Sequence, residues 1–306
     1  MRVVVLAGGP SFERQVSFAG AERVVHALGK LGHKPNLIDV GRDLVEQLTD
    51  ARPDAAIIVM HGAVGEDGAV QAVLEGLDIP HQAPNAAACR RVWDKAITKG
   101  LLEAAGIAVP RGVVFDRQPF TALGAARALE PIADRIGFPV VVKPARSGSA
   151  LGVHRAANAR HLAQGVVGAF SYDDSVLVEE FVAGREFGVS VIDGEAFPAV
   201  EILPQDGPEA YDFEARYSIG QVEYECPATL DEPLRTLIAD TAVRAAEVMG
   251  VDGICRVDLI VTPEGVPTVL ELNNVPGLTD TSLLPMAAAA GGLSFRDLVA
   301  RMLPAG

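Results

Sequence analysis

The 306-residue chain has few cysteines, a shortage of positive charge and no apolar run long enough to span a membrane. Its cysteines, Cys89, Cys226 and Cys255, are odd in number and none sits in a CxxC pair. That excludes a disulfide framework and a structural zinc, and it predicts reduced thiols and a cytoplasmic protein. Lys and Arg number 26 against 40 Asp and Glu, a formal net charge of −14. Nucleic acid is a poor partner for such a chain, because non-specific binding rests on cations neutralising phosphates. A nucleotide remains possible where the few cations converge. The opening run VVVLAGG is too short for a signal segment and ends in glycines, so it reads as a first strand and no membrane association is expected. Two phosphate-binding signatures are also missing. The turn GGPS lacks GxGxxG, and the glycine-rich KPARSGSALG lacks the GK[ST] of a Walker A loop. No internal repeat appears, and the alanine run Ala287 to Ala290 fits a helix.

What remains is the composition of a soluble globular protein, 49% hydrophobic and 22% charged, long enough for two or three domains. The first part alternates strand and helix. RVVVLAGG runs into a Gly-Gly turn, and Val16, Val24, Ala27, Leu28 and Leu31 then recur at helical spacing. NLIDV and AIIVM are the next strands, and the helix AVQAVLEGL follows the loop HGAVGEDG. Loops at the carboxyl ends of such strands are where open α/β sheets bind ligands. Glu13 and His61 lie there, although an acid in a helix's first turn and a plain loop histidine would account for them equally simply. The segment AAACRRVWDKAITKGLLEAAG reads as one helix, with a domain boundary near residue 86. Beyond it come a helix ALGAARALEPIADRIG, the strand VVVKPA, the bend RSGSALGV, a helix ARHLAQGVVGAF and the strand SVLVEEFV.

In the bend, Gly148 and Gly152 allow close backbone approach, Ser149 offers a hydroxyl and Lys143 ends the preceding strand, which suits a loop covering a phosphate. A flexible turn would look the same. In VLVEEFVAGREF, Glu179, Glu180 and Glu186 crowd around a connector whose backbone can pair with a purine edge, while one acid is expected to be a solvated hinge residue.

The stretch RVDLIVTPEGVPTVLELNN poses the sharpest problem. Its β-rich runs flank Thr262-Pro263-Glu264-Gly265, a turn sequence. Centring the turn between Glu264 and Gly265 pairs Leu259 with Leu270, Asp258 with Glu271 and Arg256 with Asn273. Val257, Leu259, Val261, Leu270 and Leu272 then share one face, with Arg256, Asp258, Glu271 and Asn273 on the other. Like charges opposed at about 5 Å destabilise a strand pair unless a cation lies between them. Two carboxylates and an amide suit a hard ion, Mg²⁺ or Mn²⁺. The simpler alternative is a solvated edge hairpin in which Arg256 neutralises Asp258.

VVVKPARSGSALGV, VLVEEFVAGREF, YDFEARY, RVDLIV, LELNNVPGLTDTSLLP and LAGGPSFERQVS together resemble the motif series of the D-alanine:D-alanine ligase family, in order and over nearly the whole chain. The resemblance implies an α/β and α+β ATP-grasp fold with a Rossmann-like N-terminal domain. Residues 1–86 would form the N-terminal domain, 87–182 the central and 183–306 the C-terminal domain. It implies ATP-dependent joining of two D-alanine molecules through a D-alanyl phosphate, for cell-wall peptidoglycan, by a homodimer. Asp258, Glu271 and Asn273 would hold two Mg²⁺ or Mn²⁺ ions. Lys95, Lys143 and Arg216 would contact ATP phosphates, Glu179 and the Val182 backbone the adenine, and Glu186 the ribose. Glu13 would bind the first substrate's amino group and hydrogen-bond Ser149 and Tyr217, closing the loop Tyr211 to Glu225. Arg256 and the Gly277 N–H would form an oxyanion pocket, Ser282 and Leu283 would hold the second carboxylate, and His61 would lie near the first substrate.

Some positions depart from the family pattern. Arg216 stands where Lys is usual, changing a point charge into a fork. Trp93, Ser147, Ala150 and Asn274 also differ from the common residues. Relatives that make D-alanyl-D-lactate or D-alanyl-D-serine are the nearest rivals, with Tyr217 favouring the dipeptide. A catalytically silent ATP-binding module would be expected to have lost metal ligands or Arg256, and none is lost.

Overall fold

The computed structural model describes residues 1–124, 127, 129–204 and 222–304. Three sheets follow one another along the chain. In the first, β1 (Arg2–Ala7) lies between β2 (Lys34–Asp39) and β3 (Ala55–Ile58), all parallel. Helices α1 (Arg14–Lys30), α2 (Leu44–Ala51) and α3 (Ala69–Gly76) follow its strands in turn. Parallel strands joined by crossover helices are buried on both faces, which is why β1 and β3 are runs of Val, Leu, Ile and Ala without alternation. Along α1, Val24, Ala27 and Leu28 are buried as their spacing predicts, whereas Val16 turns into a cavity.

Next come α4 (Ala86–Trp93) and α5 (Lys95–Ala104), which the sequence reads as a single helix. Asp94 divides them. Its backbone is extended, and its carboxylate accepts from the N–H groups of Ala96 and Ile97, capping α5. The break makes Lys95 the first residue of a helix, where its side chain is buried and turned inward.

The second sheet has the order β4 (Gly112–Asp116), β7 (Ser175–Glu180), β5 (Val140–Pro144), β6 (His154–Ala156), all antiparallel, with α6 (Arg117–Ala122), α7 (Leu129–Ile136) and α8 (Ala159–Ala169) among its connections. The third is built from β8 (Arg185–Ile192), the short β9 (Glu195–Ala196), β10 (Val200–Pro204), β11 (Val222–Glu225), β12 (Ile254–Val261) and β13 (Pro267–Asn273), in the order β11-β10-β8-β12-β13 with β9 beside β8. Helix α9 (Glu232–Met249) packs Ile238, Ala242, Ala245 and Met249 into its core. Helices α10 (Leu283–Ala290) and α11 (Phe295–Arg301) instead join a core shared with β1, β3 and α1, tying the end of the chain to its beginning. Among the described residues no single helix is long and apolar enough to cross a membrane.

The β12–β13 hairpin pairs Arg256 with Asn273 and Asp258 with Glu271, as its alternation predicts. Past Asp258 the register shifts, and Leu259 pairs with Val269 rather than Leu270. Leu270 is the extra residue of a bulge. Val269 therefore takes the core position expected for Leu270, and Leu270 turns into a cavity beside Glu271. Replacing Val269 with Asn should cost about 3 kcal/mol or more, combining lost apolar burial with an unpaired amide. Leu270→Asn should cost less than half as much. Urea midpoints of the two variants check this; the reverse ranking would mean an unbroken register.

Candidate active site

Two cavities lie against the third sheet. One, of about 620 Å³, opens between the second and third sheets and is lined by Lys143, Glu179, Val182, Glu186 and Leu270 among others. The other, of about 690 Å³, faces the first sheet and includes Glu13, His61, Ser149, Arg256 and Gly277 in its wall. Lys95, Ser147, Ile202, Asp258 and Glu271 line both. The facing acids of the hairpin thus sit at the junction where contents of one space can react with contents of the other.

At this junction each acid has its own cation. Asp258 is buried and takes a two-pronged contact from Arg256, Nε to Oδ1 at 2.6 Å and Nη2 to Oδ2 at 2.8 Å. Lys95 Nζ lies 3.2 Å from Glu271 Oε2 and also donates to the Ser147 carbonyl. Asn273 completes the polar edge, its Oδ1 accepting from Val275 N at 3.0 Å. Among the described residues no three His, Cys, Asp or Glu side chains form a metal cluster, so a metal site here depends on the Asn273 amide as third donor. Two carboxylates and an amide are an all-oxygen set of the kind that fits a hard divalent cation. Of the solvated-edge alternative, the edge position of β13 and the Arg256–Asp258 neutralisation are present, but the polar face is not solvated at Asp258, which is only 3% exposed.

In the larger cavity, the α1 N-cap residue Glu13 makes no capping bond with its side chain; instead Ser149 Oγ donates to Glu13 Oε1. Ser149 and Ala150 both have φ near 55°, a left-handed conformation in the glycine-rich bend that brings the hydroxyl over the cavity. His61 is buried with Glu66, which the sequence reading overlooked, at 3.6 Å between Nδ1 and Oε1. Burial opposes a charged imidazole, but the Glu66 carboxylate, helped by Glu13, outweighs burial and a repulsion from Arg256, raising the His61 pKa. Burial likewise raises that of Glu66. Asn274, a departure from the family pattern, donates its buried amide to the Glu66 carbonyl at 2.9 Å, binding the loop after β3 to the end of β13. A Cβ at Gly277 would lie 2.6 Å from Ser282 Oγ, so a side chain there would displace that hydroxyl. Ser282 is the N-cap of α10 and Leu283 its first residue, so free N–H groups of a helix start border this cavity. Trp93 lines it as well.

In the smaller cavity, Glu179 is buried between two ammonium groups, Lys143 Nζ at 2.5 Å from Oε1 and Lys99 Nζ on Oε2. Lys99 was not among the residues expected from sequence. Of the three crowded acids, Glu180 is the one engaged at the surface, accepting from the Arg111 backbone and guanidinium at 2.9 and 2.8 Å. Arg216, Tyr217 and most of the expected covering loop lie outside the described residues. The three cysteines are free, and burial pushes the Cys89 and Cys255 thiols up to about 12, so these two remain protonated at neutral pH.

Two antiparallel sheets facing each other across a cavity, with paired carboxylates and convergent lysines in its wall, fit the ATP-grasp class of enzyme. The family model described as "D-ala D-ala ligase C-terminus" matches residues 101–304. A D-alanine–D-alanine ligase of Syntrophotalea carbinolica is 42% identical over 302 residues, covering 99% of this chain and 95% of the relative. One from Gloeobacter violaceus is 39% identical, covering 99% and 98%. A Bacillus anthracis D-alanine–D-alanine ligase complexed with ATP superposes with a TM-score of 0.84 at 29% identity, covering 99% of this chain and 96% of that one. The VanG D-Ala:D-Ser ligase of Enterococcus faecalis gives 0.85 at 25% identity, covering 98% of each. The chain belongs to the D-alanine–D-alanine ligase family, a family of ATP-dependent ligases.

The His61–Glu66 pair has a checkable consequence. With its pKa raised, His61 contributes stability that is present below the unfolded value and is lost as pH rises through the folded one. By NMR, the His61 imidazole should titrate above 6.5 in the native protein. In Glu66→Gln burial prevails and the value should fall below 6.5. An unchanged titration would separate the two groups.

Proposed function

We propose that this chain joins two D-alanine molecules at the expense of ATP, supplying D-alanyl-D-alanine for peptidoglycan. The observation that carries the reading is the wall shared by the two cavities, where Lys95, Asp258 and Glu271 face both spaces. The smaller cavity takes ATP, with Glu179 and the Val182 backbone at the adenine, Glu186 at the ribose, and Lys95 and Lys143 toward the phosphates. Arg216 adds a further cation on this reading. The larger takes the two amino acids. Asp258, Glu271 and Asn273 would hold two Mg²⁺ or Mn²⁺ ions, which would supply neutralisation of phosphate charge.

The γ-phosphoryl passes to a carboxylate oxygen of the first D-alanine, giving an acyl phosphate and ADP. The amine of the second then attacks the carbonyl carbon, and the tetrahedral intermediate collapses by expelling phosphate. Phosphoryl transfer asks for positioning and charge neutralisation more than covalent help. Glu13, fixed by Ser149, holds the first ammonium near His61, and Tyr217 completes that contact when the loop closes. Arg256 and the Gly277 N–H donate to the oxyanion, while Ser282 and the Leu283 N–H at the start of α10 bind the second carboxylate, where the helix dipole favours an anion. Water has to be kept from the acyl phosphate, which it would hydrolyse, and the family resemblance gives that role to the segment Tyr211 to Glu225.

The three sheets, each confined to one stretch of sequence, support three domains with divisions at about residues 86 and 182, although α4 and α5 pack into the third sheet's core and α10 and α11 into the first's. Cytoplasmic residence and a homodimer belong to the same proposal. The good superposition of a D-Ala:D-Ser ligase keeps acceptor choice a matter for experiment.

ADP release should require D-alanine, and among D-alanine, D-lactate and D-serine as acceptors D-alanine should dominate the products. Release indifferent to D-alanine would overturn the ligase reading, and preferred ester or D-serine product would reassign the acceptor. Arg256→Ala should lower kcat by about 10²–10³, some 3–4 kcal/mol, while calorimetry finds ATP still bound. Near-normal turnover would remove Arg256 from the oxyanion pocket.

A further inference from the structure

Lys99 is a charged side chain, mostly buried, that the mechanism above does not use. It rises from α5 and reaches Glu179 from behind, since it does not itself line the nucleotide cavity while Glu179 does. Two ammonium groups fix that carboxylate, and the strand beside it leaves its Cβ little room. Lys99 holds Oε2, Lys143 lies 2.5 Å from Oε1, and the strand partner of Glu179 on β4 is Gly112, where an added Cβ would stand 2.9 Å from Glu179 Cβ. Lys143 faces the cavity and can turn to a phosphate. Lys99 is held behind the cavity wall, where its only direct ion pair among the described residues is with Glu179 and it acts on Glu180 at longer range.

We propose that Lys99 is a positioning residue that makes the nucleotide site selective for a 6-aminopurine, by holding Glu179 as an oriented, ionised acceptor. The inference rests on the placement of adenine at Glu179 given above. At 2% exposure the carboxylate is out of reach of water, so its orientation is set by the ammonium groups on its two oxygens. Ionised, it only accepts hydrogen bonds. It then pairs with the exocyclic amino group of adenine and repels the 6-keto oxygen of guanine. Rotated away from the base edge, it would neither accept from the amino group nor repel the keto oxygen, and the discrimination would weaken. Burial lowers the pKa of Lys99 and the neighbouring Lys143 lowers it further, with Glu179 and, more weakly, Glu180 opposing both, so the ammonium depends on the carboxylate it holds.

The test is binding of ATP and GTP to the whole protein by titration calorimetry, with D-alanine-dependent release of ADP and GDP alongside. In Lys99→Met, ATP affinity should fall about tenfold to a hundredfold, the worth of one charge-assisted hydrogen bond. The ATP-to-GTP affinity ratio should fall by at least about tenfold, with the KM for D-alanine unchanged. Lys99→Arg should restore the ratio. Lys99→Gln carries the expectation of the methionine variant should that one prove insoluble. An unchanged ratio, whether or not ATP affinity falls, would reduce Lys99 to a structural ion pair and overturn the proposal while leaving the ligase reading intact. A wild-type protein that binds GTP as well as ATP would instead remove the adenine contact from Glu179, and this inference with it.

Discussion

Two carboxylates placed opposite each other on neighbouring strands are unfavourable unless positive charge intervenes, and the Asp258–Glu271 pair organises much of what surrounds it. Arg256 and Lys95 are held at these acids, one from the same strand and one from the start of α5. The break at Asp94 puts Lys95 in reach, and the bulge at Leu270 turns an apolar side chain toward the nucleotide space just beside Glu271. A hairpin with no such pair would not need the inward lysine.

The same logic of compensated charge recurs at a distance from the hairpin. Glu179 is caught between Lys99 and Lys143, and Glu66 is set against His61. Buried charges of this kind are poor sources of stability, since desolvation consumes most of their attraction. Their concentration along two adjoining cavities is better understood as preorganisation for anionic substrates and intermediates. The backbone follows suit, with left-handed residues at Ser149 and Ala150, a glycine at 277 and a helix start at Ser282, all bordering the space where charge develops on the proposed reaction path.

Much of this was legible in the chain itself. Unbroken aliphatic runs gave β1 and β3 away as buried parallel strands, and strict alternation placed Arg256, Asp258, Glu271 and Asn273 on one face. The motif series identified the family and the candidate residues that line the cavities. The bulge was not legible, because Leu270 carries no glycine or turn residue to mark it and only the packing of Val269 decides the register. Asp94 was readable as a helix cap, followed by a fresh helical turn, but continuous helical composition masked it. Glu66 and Lys99 look like surface charges in sequence; their burial comes from elements far away along the chain, Asn274 and Glu179, which no local pattern reveals.

The account stands on the hairpin acids forming a hard-cation site at the meeting point of the two cavities. Its most direct test is anomalous diffraction at the manganese edge from crystals grown with Mn²⁺ and a non-hydrolysable ATP analogue. The account predicts anomalous density in direct contact with the carboxylates of Asp258 and Glu271. Density confined to other places, or analogue bound in the cavity with no density at these two side chains, would contradict it.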